Sequence, residues 1–291
     1  MPGLEVIASS LVSGFLLGGT LALTALGLSI VLGVMRLVNL AHGEFLIAGA
    51  YAALFLLQFS GIDPLIGLIP IGLLLACVAF PLQRYLLMPL SGGEPEAPMM
   101  TTFGVSIILQ NLFILFFSGD TRSIDRSYAT ASLTIGPVTV AWIYIIGFAI
   151  SVTILLAAHW LVSSTAYGRD LRASAADPGA AAAVGVNVRN LHALTFAFGA
   201  ACAGMGGVLI GLAFSFTPTS GATYLLNDFA IIVLGGLGNV MGTLVGGIAL
   251  GLLQSLGGIV LGDGYRDLVG LIVFLIVLAI RPQGLLAGRA S

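Results

Sequence analysis

SSTAYGRDLRASAADPGAAAAVGVNVRN, running from Ser163 to Asn190, separates two long apolar stretches and carries Arg169, Asp170, Arg172, Asp177 and Arg189 in one short run. So many charges cannot rest in hydrocarbon. The segment therefore lies in water between flanks that belong in a membrane, and that assignment decides the fold. Asp177 before Pro178 has the form of a helix start, because the Asp oxygen caps free amides and Pro lacks an N–H that would be unpaired anyway. Ala180 to Val184 propagate the helix, and Gly185 can stop it in a left-handed cap. About two turns result, too short to be stable alone in water. Its side chains are mostly methyl groups that bury little against their own chain, so the helix is expected to complete its packing in a partner's groove.

Composition agrees with membrane flanks. Of 291 residues, 58% are hydrophobic and 8% charged, where a soluble domain carries about 25% charged residues. The chain reads as an integral membrane protein. All ten basic residues are Arg and none is Lys, which excludes an ATP-binding loop whose Lys must reach the phosphates. Any ATP hydrolysis then belongs to another subunit. A net charge of −2 without a basic tract argues against nucleic acid as a partner. Cys77 and Cys202 both fall in apolar runs, where free Cys acts as a small hydrophobe. No structural disulfide, metal site or cofactor is expected. MPGLEVIASS at the start lacks the positive region of a secretory signal, so the apolar run after it is expected to be kept.

Apolar runs of roughly spanning length lie at Leu11–Val34, Leu40–Phe59, Leu65–Leu87, Thr101–Phe117, Val140–Val162, Leu191–Phe214, Val240–Leu261 and Leu268–Ile280. Tyr224–Gly238 is shorter and reads as a broken or re-entrant helix. The expected fold is all-α and polytopic, one domain over residues 1–291, with eight or nine membrane segments. Placing 163–190 inside puts Arg36, Arg84, Arg169, Arg172, Arg189, Arg281 and Arg289 in the cytoplasm, against Arg122, Arg126 and Arg266 outside. That bias follows the positive-inside rule if the short run crosses. Glycines recur at spacings of four, as in Gly14 and Gly18, Gly207 and Gly211, Gly238, Gly242 and Gly246, and Gly247 and Gly251. Such smooth faces let helix backbones approach closely. The loop Ser118–Pro137 balances Asp120 and Asp125 against Arg122 and Arg126 and reads as a solvated external cap.

Two polar clusters interrupt the apolar pattern. The first is Asn39-Leu40-Ala41-His42-Gly43-Glu44; the second is Asn227-Asp228, followed by Leu234-Gly235-Gly236-Leu237-Gly238-Asn239. A carboxylate at membrane depth normally faces a bundle interior or a watery cavity. Asn39, His42, Glu44, Asn227 and Asp228 are thus candidates for lining or gating a path. The competing reading has Glu44 and Asp228 merely capping interfacial helix starts, with His42 a satisfied hydrogen-bonding group. Gln110 and Asn111 are expected to bond between helices, and His159 and His192 to lie at the interface. No nucleophile lies beside a base, so the chain does not read as an enzyme.

These residues resemble a known family, the membrane-spanning permeases of branched-chain amino acid ABC transporters of the leucine/isoleucine/valine type. The resemblance is carried by Gly27-Leu28-Ser29-Ile30-Val31-Leu32-Gly33-Val34-Met35 with Asn39 to Phe45 and Gly49-Ala50-Tyr51, by Thr102-Phe103-Gly104 with Gln110-Asn111, by Tyr167-Gly168-Arg169-Asp170-Leu171-Arg172-Ala173 with Asp177 and Gly185-Val186, by Leu234 to Asn239, and by Arg281-Pro282-Gln283-Gly284-Leu285. It implies a bacterial inner-membrane importer. Its partners would be a second related permease, two ATPase subunits and a periplasmic solute-binding protein, besides membrane lipid. The loop 163–190 would supply the helix that sits in an ATPase cleft, oriented by Arg169, Arg172, Asp177, Pro178 and Gly185. The nearly all-Ala run Ala180 to Ala183 departs from a grip by large anchors. Related permeases also carry urea and short amides, so the solute stays open. The alternative is a carrier or channel working alone, with Glu44 and Asp228 as proton or cation sites.

Overall fold

A computed structural model describes residues 3–90 and 96–280; Arg281, Arg289 and the block from Arg281 to Leu285 lie outside them. Seven helices are long and apolar enough to cross a membrane. They are α1 (Leu4–Met35), α2 (His42–Ser60), α3 (Pro64–Pro81, prolonged by a π-helical turn Leu82–Leu87 and a 3₁₀ turn Met88–Leu90), α4 (Glu96–Phe117), α6 (Trp142–Ser164), α9 (Val188–Ala213) and α11 (Val240–Leu261). Two apolar helices of 15 residues, α10 (Gly221–Gly235) and α12 (Arg266–Ile280), accompany them. The element count agrees with the eight or nine segments read from the chain.

The two innermost helices are α1 and α9. Against α1 pack α11, α9, α6 and α10, while α9 also packs on α3 and α2. Close approach depends on the spaced glycines. A methyl group on Gly18 would stand 2.6 Å from the Gly247 carbonyl, and one on Gly251 would stand 2.3 Å from the Gly14 carbonyl. The backbones of α1 and α11 therefore touch. Outer faces of α3 and α4 are apolar and exposed, including Ile66, Ile69, Leu73, Leu115 and Phe116, as suits lipid-facing helices.

Several expectations need correction. The external loop is built, not merely solvated: it holds a short helix α5 (Ser127–Thr130) and a hairpin of β1 (Ser132–Ile135) with β2 (Val138–Ala141). Val140 thus sits in a strand, and the span expected from there begins at Trp142. Arg126 reaches across to Asp63 at 3.4 Å, and Tyr128 donates to the same carboxylate at 2.8 Å. Burial and the neighbouring Asp63 charge raise the Tyr128 pKa above its ordinary value. Asn111 does not bond between helices; its amide donates to Ile107 O of its own helix at 2.8 Å. His192, near the start of α9, is buried, 2.9 Å from Ser174 Oγ.

The helix α6 runs from the hairpin to the wet segment. Its 23 residues span about 34 Å at 1.5 Å per residue. Chain ends sort accordingly: Ser9, near the start of α1, bonds the hairpin at Pro137 and Thr139, while Gly33, near its end, lies against Gly238.

Candidate functional site

The two polar clusters of the sequence meet inside the bundle. Arg36 takes a left-handed φ of 52° after α1, and the chain folds back along that helix. Leu40 N donates to Thr102 Oγ1 at 3.1 Å, and Asn39 Oδ1 accepts from Ala41 N at 3.1 Å. Asn39 is thereby buried in holding this turn. It presents His42, the first residue of α2, so that Nε2 lies 2.9 Å from the Thr24 carbonyl. A carbonyl only accepts, so Nε2 carries the proton. Thr24 lies eleven residues before the end of α1, about 16 Å along its axis, so α2 starts inside the bundle and not at a membrane edge.

Asp228 comes to the same place from α10. Its Oδ1 is 2.6 Å from Thr24 Oγ1, and its Oδ2 is 3.6 Å from His42 Nε2. The side chain is fully buried within the helix, which overturns the reading of Asp228 as an interfacial helix-start cap. Thr24 Oγ1 also lies 2.7 Å from the Leu21 carbonyl. One hydroxyl has one proton, so both contacts are full hydrogen bonds only when Asp228 is itself protonated and donates. Glu44 stands apart, in the first turn of α2, and is likewise buried. Ser106 Oγ approaches its Oε1 at 3.4 Å, and a methyl on Gly221 would stand 2.6 Å from that oxygen. Its carboxylate therefore sits beside two helix starts, its own and that of α10, whose free amides favour negative charge. Among the described residues no His, Cys, Asp and Glu group has the makings of a metal site.

Beside this cluster lies a cavity of about 720 Å³ bounded by α1, the start of α6, the end of α9 and the segment after it, α10, α11 and the start of α12. On α1 its lining runs from Ser9 to Leu21, about 18 Å of helix axis. It reaches the hairpin end, where Thr139 lines it, and on α1 stops one turn short of Thr24. Of the five candidate path residues only Asn227 lines it. Asn227 Oδ1 accepts from Gln254 Nε2 at 3.1 Å, and both residues are buried. Thr24, Ser106 and Gln254 escaped the sequence reading. Single uncharged polar residues in apolar runs carry little signal, and only their partners across helices give them meaning.

At the opposite end, residues 163–190 fold as two short helices, α7 (Ala166–Ala176) and α8 (Pro178–Ala183). α7 was not foreseen, because its charges break any long apolar run. Thr165 caps it, accepting from Gly168 N at 3.3 Å, and Gly168, Leu171 and Ser174 form its buried face. Arg172 donates to the Val162 carbonyl near the end of α6. Arg169 is exposed. Ser174 meets His192 at 2.9 Å, and Tyr167 OH meets Thr195 Oγ1 at 2.9 Å. Two side-chain bonds thus fasten α7 to α9. Burial raises the Tyr167 pKa above its ordinary value. Asp177 Oδ1 then accepts from Gly179 N and Ala180 N at 2.8 and 3.0 Å, with Pro178 as the first helical residue. Gly185, at φ 96°, ends α8: its N–H bonds Ala182 O, and Val186 N–H bonds Ala181 O. That pair of bonds is a Schellman stop. Within α8 only Ala181 is buried.

A family model described as the permease component of branched-chain amino acid transport systems matches residues 10–278. The high-affinity branched-chain amino acid transport system permease protein BraD of Pseudomonas aeruginosa is 31% identical, over 98% of this chain and 97% of its own. LivH of Escherichia coli K12, which carries the same description, is 31% identical over 94% of this chain and 93% of its own. Among solved structures, PsaBC from Streptococcus pneumoniae in complex with Fab aligns with 96% of this chain and 91% of its own at 15% identity, with a TM-score of 0.46. A multi-pass helical bundle, matched to that family over nearly its whole length, belongs to the branched-chain amino acid transport permeases, the membrane components of ABC importers that are not themselves enzymes.

Proposed function

We propose that this chain is one permease half of an importer in a bacterial inner membrane, carrying branched-chain amino acids. It would work with a second related permease, two ATPase subunits and a periplasmic solute-binding protein. The observation that carries the reading is α8. A six-residue helix, capped at both ends yet buried at a single residue, has no packing of its own to justify the capping. A cleft in an ATPase subunit supplies that packing. Residues 163–190 are then the coupling loop of a single permease domain spanning 1–291.

Motion of α8 passes to α7, whose bonds from Tyr167 and Ser174 hold it to α9. From α9 it passes to α1, α2 and α3, which pack against it. The contacts of Thr24 with His42 and Asp228 join three helices at the inner end of the cavity. Separating those helices opens a path from the cavity toward the loop end, and bringing them together closes it. Asn39 holds the turn that sets His42 in place. Glu44 acts at the helix starts of α2 and α10. In this reading Asp177, Pro178 and Gly185 shape the docking helix, Arg172 sets the angle of α7, and exposed Arg169 faces the ATPase.

The test is to disrupt the cap with Asp177→Ala and Pro178→Gly. Losing an N-cap costs about 1 kcal/mol of helix stability. ATPase subunits should then co-purify less, or hydrolyse ATP without solute uptake. Wild-type co-purification together with wild-type uptake would reject α8 as the docking element.

A further inference from the structure

We infer that the amide pair Asn227 and Gln254, on the wall of the cavity, forms a solute site inside the permease that reads the head group of an amino acid. The inference rests on the importer reading above. Asn227 and Gln254 are each only 6% exposed, and a single 3.1 Å bond joins them. That bond consumes one amide hydrogen and one carbonyl oxygen. Whichever way the two amides are turned, an NH₂ group and a carbonyl are left over. Both residues line the cavity, so a solute that pairs with the leftover NH₂ and the leftover carbonyl gains two hydrogen bonds there.

A zwitterionic amino acid does so. Its carboxylate accepts from the remaining NH₂, and its ammonium donates to the remaining carbonyl. The same cavity is walled by Leu17, Leu21, Ile210 and Phe214, which suit an aliphatic side chain. Its volume of about 720 Å³ leaves room for the solute and several waters. Gly270 of α12 backs the pair, since a methyl there would stand 2.9 Å from Gln254 Nε2 and 3.3 Å from Asn227 Oδ1. The pair is therefore held in register from behind. The cavity that holds it ends on α1 at Leu21, one turn before Thr24, and Asn227 directly precedes Asp228 on α10.

The experiment uses the assembled transporter in vesicles. Exposed Cys77 is replaced by Ala, and Ser13→Cys places a thiol in the cavity, with Cys202 left buried. A charged thiol reagent is added on the hairpin side, with leucine, with 4-methylpentanoate, which lacks the ammonium, or with 3-methylbutylamine, which lacks the carboxylate. Leucine should slow labelling about tenfold, the effect of roughly one hydrogen-bonded contact to a charged group, and neither truncated analogue should match it. Gln254→Leu should abolish the protection. So should Gly270→Val, which displaces the pair without altering either amide.

Absence of labelling, absence of protection by leucine, or protection by either analogue equal to that by leucine overturns the site. ATP-driven leucine uptake by the same vesicles separates this outcome from failure of the importer reading. Uptake without protection rejects the amide site alone. Protection without uptake keeps the site and rejects the importer.

Discussion

Thr24 shows most plainly how a single side chain organises the interior. Its carbonyl receives His42, and its hydroxyl stands between Asp228 and the Leu21 carbonyl. Removing one partner from such a network leaves buried polar atoms unsatisfied at about 1–3 kcal/mol. Thr24→Val should therefore lower the thermal stability of the purified protein by that order. Asp228→Asn should keep most of it, because a neutral amide can donate to Thr24 as a protonated carboxyl does. Asp228→Leu should lose it. If Asn proves as damaging as Leu, the carboxyl is ionised in the folded protein and the count of hydrogens given above is wrong. Asp228 could be picked out from the chain as an ionisable residue near an apolar run. That it lies within a helix and is fully buried could not, since the boundary of a short apolar helix is ambiguous without its neighbours.

The elements divide into those that touch by backbone and those that touch through bonds. α1 and α11 belong to the first kind. Gly251→Val would drive two methyl groups into the Gly14 carbonyl, 2.3 Å from the first added carbon, and overpacking of this sort costs about 1–3 kcal/mol or more. A folding assay should show that loss. Gly104→Ala, on α4 with nothing within 4 Å of the added carbon, should leave stability unchanged or slightly raised. The contact of α7 with α9 belongs to the second kind. Tyr167→Phe combined with Ser174→Ala removes both ties while leaving α8 intact. The expected result is an assembled complex that still hydrolyses ATP but imports less solute per ATP, measured by parallel phosphate release and uptake. Unchanged coupling would mean that the ties hold the fold and transmit nothing.

At the scale of the whole molecule, a cavity at one end and the short, largely exposed helix α8 at the other are separated by a closed polar contact. Such an arrangement has no fuel of its own. Liposomes holding this chain alone should show no uptake under a proton or sodium gradient, and uptake should appear only with the ATPase subunits, binding protein and ATP. Gradient-driven uptake by the chain alone would restore the carrier reading for Glu44 and Asp228. Long apolar runs and the charged segment 163–190 were enough to establish a polytopic helical membrane protein with one long wet segment, and the family came from the resemblance of its motifs. Local signals, repeated along the chain, suffice for that. The cap at Asp177 and the stop at Gly185 were legible for the same reason, because capping involves residues two to four apart. The hairpin, the helix α7, the return of Asn39 to His42 into the bundle, and the pairings of Thr24 with Asp228 and Asn227 with Gln254 were not. Thr24 and Asp228 stand 204 positions apart in the chain, and no local pattern encodes a contact that exists only because packed glycine faces bring distant helices together.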